Sequence, residues 1–389
     1  MASQGLLLVV GSLVVVIALM ARLWERFAFR RVTYSRSISR QRAFIGDSLE
    51  YSVTLFNDKI LPLIWVDIQD AFPDGLELAG GDVRSGGMEM AQQHRITTSL
   101  LPYQRVTWTY TLRCTSRGYH RIGPVRLRSG DIFGFSATET QFSDTTHLLV
   151  YPRVVDLQQL IFPAENPSGD ARGRRPLFQD TTRFIGHREY RTSDPMKHID
   201  WKATARLGEL QTKVFEPVVS LNVLIALNGS TSEFAWQGVN RRIFERAVTA
   251  AASTASFCAG HGYSFGLISN AVAGYSGKWL SVPLSSATPQ LSLVLEALAM
   301  AGPYVVTPLV EVLQGERRSL PSGATLVLVT AVMTRALAEE VAEIKQRGYQ
   351  VLVLYAGDGV PEIELPGVTV FPVGQALEAF DVHEQVLEH

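Results

Sequence analysis

The hydrophobic pattern of this chain changes its period once along the sequence. From about Tyr34 to Pro152, apolar residues recur at every second position. "SLEYSVTLF" puts Leu49, Tyr51, Val53 and Leu55 on one face, with Ser48, Glu50, Ser52 and Thr54 on the other. "VTWTYTL" repeats the arrangement with Val106, Trp108, Tyr110 and Leu112. Strand side chains alternate between two faces, so the stretch predicts antiparallel strands with one wet face. The turns "NDK", "FPDG" and "SRG" separate them and no helical pattern intervenes, which predicts a β-sandwich over 32–155. "GPVRLRSGDIFGF" reads as a strand, a Gly-Asp turn and an aromatic return, with Phe133 and Phe135 as packing residues.

After about Val218 the pattern is different. Short continuous apolar runs ("LNVLIAL", "ATLVLVTA", "QVLVLYAG") alternate with helical segments such as "RRIFERAVTAAASTASFCAGHG" and "TRALAEEVAEIKQRG". Apolar runs of that length suit parallel strands covered on both faces. The expectation is an open, mainly parallel α/β sheet over 218–380, followed by a tail at 381–389. Its ligand site should lie at the carboxyl ends of the strands. A chain of 389 residues has room for two or three such domains. A formal net charge of -1 gives no field that would draw nucleic acid, so nucleic-acid binding is excluded as a reading. The two cysteines, Cys114 and Cys258, are too far apart for a metal-ligand spacing and read as small buried thiols.

One segment stands outside both patterns. "GLLLVVGSLVVVIALMA", Gly5 to Ala21, carries no charge and as a helix would reach roughly 25 Å, enough to span a bilayer core with help from its flanks. The preceding "MASQ" lacks the basic region of a signal peptide. Positive charge follows instead, at Arg22, Arg26, Arg30 and Arg31, with Trp24 at interface depth. Residues 1–31 therefore read as a single-pass anchor in the cytoplasmic membrane, inserted in the lipid bilayer through 5–21, with the bulk of the chain on the cytoplasmic side.

Between the two domains, "PAENPSGDARGRRP" has the makeup of an exposed connector, placed over 156–186. A signature segment over 187–217 follows, containing "REYRTSDPMKHIDWKATARLGEL". Asp194-Pro195 is a helix-start signal and Gly208 a stop. Met196, Ile199, Ala203 and Leu207 would share a packing face, with Trp201 as an anchor one turn from Lys197. The density of charge admits three readings: a structural ion network, a docking surface, or a hydrolase using Glu189, Asp194 and Asp200 beside His187 or His198. No nucleophile stands next to a base and no phosphate-cradling glycine loop occurs, so no catalytic residue is assigned.

At the end of the first α/β strand stands "LNGSTS". Oxygen-bearing side chains at Asn228, Ser230 and Ser232, joined by Thr330 from a later strand, could converge on a divalent cation such as Mg2+. The segment resembles the Asp-x-Ser-x-Ser adhesion motif of von Willebrand factor A domains, with Asn228 in the aspartate place. The alternative is a Ser/Thr-rich loop that caps the next helix.

Arg188, Glu189, Tyr190, Asp194, Ile199, Asp200, Trp201, Lys202, Ala205 and Arg206 together match a longer pattern. It is similar to the signature of the bacterial family known as domain of unknown function 58, and "GPVRLRSGDIFGF" and "VYPRVV" resemble that family's upstream segment. Ser193 replaces the usual glycine and His198 a common arginine. The resemblance implies a membrane-anchored protein with a von Willebrand factor A-like C-terminal part. It also implies a role as an adaptor, working with a MoxR-type AAA+ ATPase in assembly or maturation of envelope or protein complexes. Arg188, Glu189, Tyr190, Asp194, Asp200, Trp201, Lys202 and Arg206 would then form a docking or structural surface.

Overall fold

The computed structural model describes residues 2–85, 92–131, 137–161, 184–190, 196, 199–215, 222–274, 279–316 and 320–379, without the side chains of 2–8, 23, 184–188, 213–215 and 235. The chain divides into two compact units, Met1–Pro152 and Arg153–His389.

The first unit opens with helix α1 (Ala2–Phe27) and continues as twelve strands: β1 (Val32–Ile38), β2 (Arg42–Phe44), β3 (Ser48–Asn57), β4 (Leu63–Phe72), β5 (Leu76–Ala79), β6 (Val83–Ser85), β7 (Gln92–Leu100), β8 (Arg105–Cys114), β9 (Gly118–Ile122), β10 (Val125–Gly130), β11 (Ala137–Phe142) and β12 (Thr146–Tyr151). A four-stranded sheet β1-β3-β8-β5 and a five-stranded sheet β11-β10-β4-β7-β6 form the sandwich, and a small sheet β2-β12-β9 completes the unit. The period-two reading holds where it was clearest. On β3, Leu49, Tyr51, Val53 and Leu55 are all buried, each aliphatic one contributing about 1.5–3 kcal/mol of transfer free energy. Phe133 and Phe135 lie outside the described residues.

Not everything on the inward faces is apolar. Asp70 on β4 is buried and accepts hydrogen bonds from Tyr34 (2.7 Å) and Tyr51 (2.9 Å), while Arg36 Nη1 lies 2.7 Å from its other oxygen. Tyr34 and Arg36 come from β1 and Tyr51 from β3, so the cluster joins the two large sheets across the core. Burial pushes the Asp70 carboxyl up, against the pull of Arg36 and the two phenol donors. Burial and the neighbouring Asp70 also push both tyrosines well above their ordinary range, so they stay neutral donors.

Helix α1 has two regimes. From Val9 to Met20 its large apolar side chains other than Ile17 are exposed: Val9, Val10, Leu13, Val14, Val15, Val16, Leu19 and Met20. Ala21, Trp24 and Ala28 are buried, the last two in the sandwich core. Among the described residues no helix is long and apolar enough to cross a membrane.

The second unit begins with α2 (Leu157–Ile161), then β13 (Phe184–Glu189), α3 (Trp201–Leu207) and β14 (Gln211–Phe215). The α/β part follows: β15 (Asn222–Leu227), α4 (Arg241–Gly260), β16 (Ser264–Ala273), β17 (Trp279–Ser285), α5 (Gln290–Met300), β18 (Ala301–Val305), α6 (Leu309–Glu316), β19 (Thr325–Thr330), α7 (Arg335–Gln346), β20 (Gln350–Tyr355) and β21 (Thr369–Pro372), with a last helical turn over 374–379. The connector is shorter at its start than the sequence suggested. Leu157, Leu160 and Ile161 are buried, and Val155 N–H donates to Ser253 of α4 at 2.9 Å, so α2 belongs to the α/β unit. Residues 162–183 lie outside the described set.

The sheet order is β17-β16-β15-β19-β20-β21, with β18 added beside β16. β16, β15, β19, β20 and β21 run parallel; β17 and β18 run antiparallel, a departure that the sequence reading missed. The chain leaves β15 in one direction, through α4 to β16, and leaves β19 in the other, through α7 to β20. Right-handed crossovers in opposite directions place those helices on opposite faces. The crevice outside the ends of β15 and β19 is thus the topological switch point, where open α/β sheets bind ligands.

Candidate functional site at the switch point

Asn228 follows β15 and Thr330 ends β19, so two of the residues proposed as metal ligands do face each other across the crevice. They are bonded together: Asn228 Nδ2 donates to Thr330 Oγ1 at 3.0 Å, with both residues buried. Asn228 Oδ1 in turn receives the backbone N–H of Ser230 (3.1 Å) and Nδ2 of Asn270 (3.3 Å). Asn270, at 1% exposure, also donates to the Thr307 carbonyl and accepts from Gly229 N–H. Thr330 donates to the Val332 carbonyl at 2.6 Å and accepts from Val332 N–H at 3.2 Å. Gly229 is fixed by space, since a Cβ there would meet Ala271 Cβ and Val305 Cγ2 at 3.0 Å.

This donor set does not fit a divalent cation. Both lone-pair positions of the Asn228 oxygen are taken by N–H groups, whose hydrogens would face any metal. A hard cation needs carboxylates to offset its desolvation, and every side chain in the network is neutral. Ser232 turns its hydroxyl toward the Gly238 and Phe234 carbonyls at 2.9 and 3.1 Å. Thr231 accepts from Asn240 N–H at 2.9 Å, and Asn240 caps α4 through Ile243 N–H. The hydroxyls of Thr231 and Ser232 thus tie down the loop that leads to α4, while the cap of α4 is Asn240 itself. Among the described residues no group of three or more His, Cys, Asp or Glu is placed to hold a metal.

The loop that follows the network carries an exposed aromatic pair. Phe234 and Trp236 stack at 6.0 Å between ring centroids, and Trp236 is 81% exposed. They sit in the loop between β15 and α4, directly after the buried network. Beyond them Arg246 of α4, itself buried, pairs with Asp358 and Glu378 at 2.9 Å each, holding the segment after β20 and the last helical turn against α4.

The signature segment forms a separate substructure. β13 and β14 make a two-stranded antiparallel sheet, and α3 sits between them in sequence. The helix starts at Trp201 with Asp200 as its cap: Asp200 Oδ1 accepts from Lys202 and Ala203 N–H at 3.0 and 3.1 Å. Asp194 and Pro195, the start expected from sequence, lie outside the described residues, as do Lys197 and His198. Gly208 ends the helix in the left-handed conformation, as expected. The expected packing face is not there. Ile199 is buried and bridges to Thr212, but Met196, Trp201 and Leu207 are 71%, 66% and 62% exposed, and α3 buries no side chain. Trp201 is thus a surface residue, next to exposed Lys202 and Arg206. Glu189 is exposed and Tyr190 half-buried, its N–H donating to the Leu210 carbonyl; the Arg188 and His187 side chains are outside the described set. The carboxylate of Asp200 works as a helix cap, and Asp194, His198 and the His187 side chain, which the hydrolase reading also uses, lie outside the described residues.

Residues 186–377 match the family described as "Protein of unknown function DUF58". The DUF58 match runs from β13 to the last helical turn, taking in the signature hairpin and the whole α/β sheet but not α1 or the sandwich. The uncharacterized protein YeaD of Bacillus subtilis (strain 168) is 28% identical over 218 residues, which is 55% of this chain and 52% of that protein. The chain thus spans about half the length of that curated relative. Among solved structures, native alpha-2-macroglobulin from Escherichia coli, from domain MG7 to the C-terminus, is 17% identical with a TM-score of 0.24, over 32% of this chain and 17% of that one. A cohesin module from the family 33 glycoside hydrolase of Clostridium perfringens is 9% identical with a TM-score of 0.21, over 31% and 97%. Scores this low carry nothing about function.

Within the DUF58 region the network at the switch point makes a direct prediction. Thr330→Val keeps the shape but removes the shared hydroxyl, leaving Asn228 Nδ2 without its buried acceptor. The expected loss is about 1–3 kcal/mol in the α/β unit, read from denaturant unfolding. A cost near zero would mean that the network is not the closure described here.

Proposed function

We propose that this protein is a membrane-tethered docking module of the DUF58 family, with a von Willebrand factor A-like α/β domain that grips its partner without a metal. What carries the reading is the pairing of two features after β15: a neutral, internally satisfied Asn228–Asn270–Thr330 network and, in the loop that follows it, the exposed Phe234–Trp236 pair. A buried site with all its hydrogen bonds made has nothing left for chemistry. Exposed, stacked aromatics at a ligand-binding edge are what a protein interface uses as anchors. The cysteines offer no alternative nucleophile, because burial pushes Cys114 up to about 11 and Cys258 up to about 12.

The partner that the family resemblance implies is a MoxR-type AAA+ ATPase, served at the cytoplasmic face of the membrane during assembly or maturation of envelope or protein complexes. The tether is α1. Its exposed apolar run from Val9 to Met20 and the arginines that follow support insertion, and the reading takes in Gly5 to Leu8, whose side chains are outside the described set. Trp201, Met196 and Leu207 are further exposed apolar contacts on the same unit.

The test is capture from native membranes with the full chain as bait, with and without ATP, beside Phe234→Ala/Trp236→Ala and Trp201→Ala variants whose folding is verified by circular dichroism. The expected result is recovery of an AAA+ ATPase, reduced about tenfold or more in the Phe234/Trp236 variant. Absence of any ATPase under both nucleotide conditions removes the adaptor reading.

A further inference from the structure

The first unit holds a cavity of about 690 Å3, a volume within the ordinary range for small-molecule sites. It lies where α1 changes from an exposed apolar helix to one packed on the sandwich. Trp24 and Phe27 form its helix wall, and Ile60 and Leu61, from the turn between β3 and β4, form the other. Three cations stand on the same lining, Arg30, Arg31 and Lys59, against one carboxylate, Asp131. The indole N–H of Trp24, a residue 8% exposed, has no hydrogen-bond partner among the described residues.

We infer that this cavity is a binding site for one anionic phospholipid, its phosphate held by Arg30, Arg31 and Lys59 and its acyl region laid against the apolar walls. The inference rests on the membrane tether of the proposed function, which brings this end of α1 to headgroup depth. Charge complementarity selects the occupant. A largely apolar lining with a net excess of cations fits an amphiphile with a negative head, and neither a neutral lipid nor a free polar metabolite uses both kinds of group. Arg30 and Arg31 come three and four residues after the end of α1 at Phe27, near the position in which basic residues attract anionic lipid. Lys59 adds a local reason. Burial pushes its ammonium down to about 8, with Asn57 Oδ1 at 2.7 Å as a neutral partner, and a phosphate beside it would hold it charged.

The full chain is reconstituted into vesicles of phosphatidylcholine, alone or with a minority of phosphatidylglycerol, and its association is read by flotation. It is then re-extracted in mild detergent, and bound lipid is counted by native mass spectrometry. The expected result is one phosphatidylglycerol per chain, with phosphatidylcholine not retained and inorganic phosphate not displacing the lipid. Arg30→Gln/Arg31→Gln/Lys59→Gln should lower retention about tenfold or more. Ile60→Glu, at a side chain 77% exposed and so safe for folding, should lower it several-fold by setting an acid at the mouth. Arg22→Gln/Arg26→Gln, which removes exposed arginines of α1 outside the cavity lining, should retain lipid like the parent chain. Flotation without a phosphatidylglycerol adduct, equal retention in the triple and parent chains, or displacement by phosphate alone overturns the lipid site and leaves the tether standing. Failure to float with any vesicle overturns both.

Discussion

Asp70→Asn in the full chain is expected to lower the stability of the β-sandwich by about 3–5 kcal/mol, the largest single-residue effect in that unit. The Arg36 side chain is fully buried and that of Asp70 is 1% exposed, so water can compensate neither charge. An asparagine keeps an acceptor for one tyrosine but leaves the guanidinium inside the core without its anion. The asymmetry is testable. Arg36→Met added to Asp70→Asn removes both charges, and its combined cost should fall well short of the sum, because the pair's desolvation is then never incurred. The readout is amide hydrogen exchange in β1, β3 and β4, which isolates the sandwich from the α/β unit. A loss below about 1 kcal/mol, or additive costs in the double variant, would show that the pair is solvated and that the sheets are joined by apolar packing alone.

That cluster also marks the limit of what the sequence could convey. Alternation told which face of β3 is inward, because side-chain direction in a strand is a local property of period two. By the same rule Tyr34 and Arg36 share a face, so a charge on an inward face was visible. Its partner, Asp70, lies two strands and three turns away, and only the folded sheets bring it near. The α/β half was legible for a related reason: a parallel strand covered on both faces must be apolar throughout, so β15, β19 and β20 announce themselves. β17 and β18 do not, since short antiparallel strands on an edge carry no continuous apolar run. In the signature segment, the sequence points to Asp194-Pro195 as the helix start. Asp200 caps the helix observed, and its own N–H is tied to the Gln211 carbonyl at 2.8 Å, a pairing with β14 that no local signal shows. Trp201 looked like an anchor because tryptophans are usually buried, yet a seven-residue helix beside a two-stranded sheet has no core to offer it. The aromatic pair at 234 and 236 was missed although a cue existed: two large aromatics in a Ser- and Gly-rich loop with no periodic neighbours to pack against. Asn270, the third member of the switch-point network, had no cue beyond its place just past the middle of a buried strand.

Acidification should weaken the sandwich between pH 6.5 and about 4, and His94 should be the cause. His94 is 1% exposed on β7, with its ring edge-on to Tyr110 at 4.9 Å and to Tyr51 at 6.4 Å. Neither ring nitrogen has a hydrogen-bond partner among the described residues. Burial therefore pushes its pKa down to about 4, with Asp82 opposing weakly. The unfolded chain takes up this proton near pH 6.5 and the folded chain only near 4. Across that interval the unfolded state binds more protons, so stability falls as pH falls, by about 3 kcal/mol in total. Two carboxylates contribute differently. Asp67 is held below its usual range, since Arg95, Gln69 and Thr97 together outweigh its burial, and so it costs stability only at still lower pH. Asp70, the cross-strand neighbour of His94, is pushed up by burial and favours the acid side, which trims the His94 effect. His94→Phe separates these contributions. The ring contacts survive and the two unsatisfied nitrogens vanish, so the variant should be at least as stable at pH 7 and lose most of the slope between pH 6.5 and 4. Urea unfolding at half-unit pH steps gives the comparison, and an unchanged slope in the variant would assign the acid sensitivity to His120 instead, the other histidine of this unit that burial pushes down.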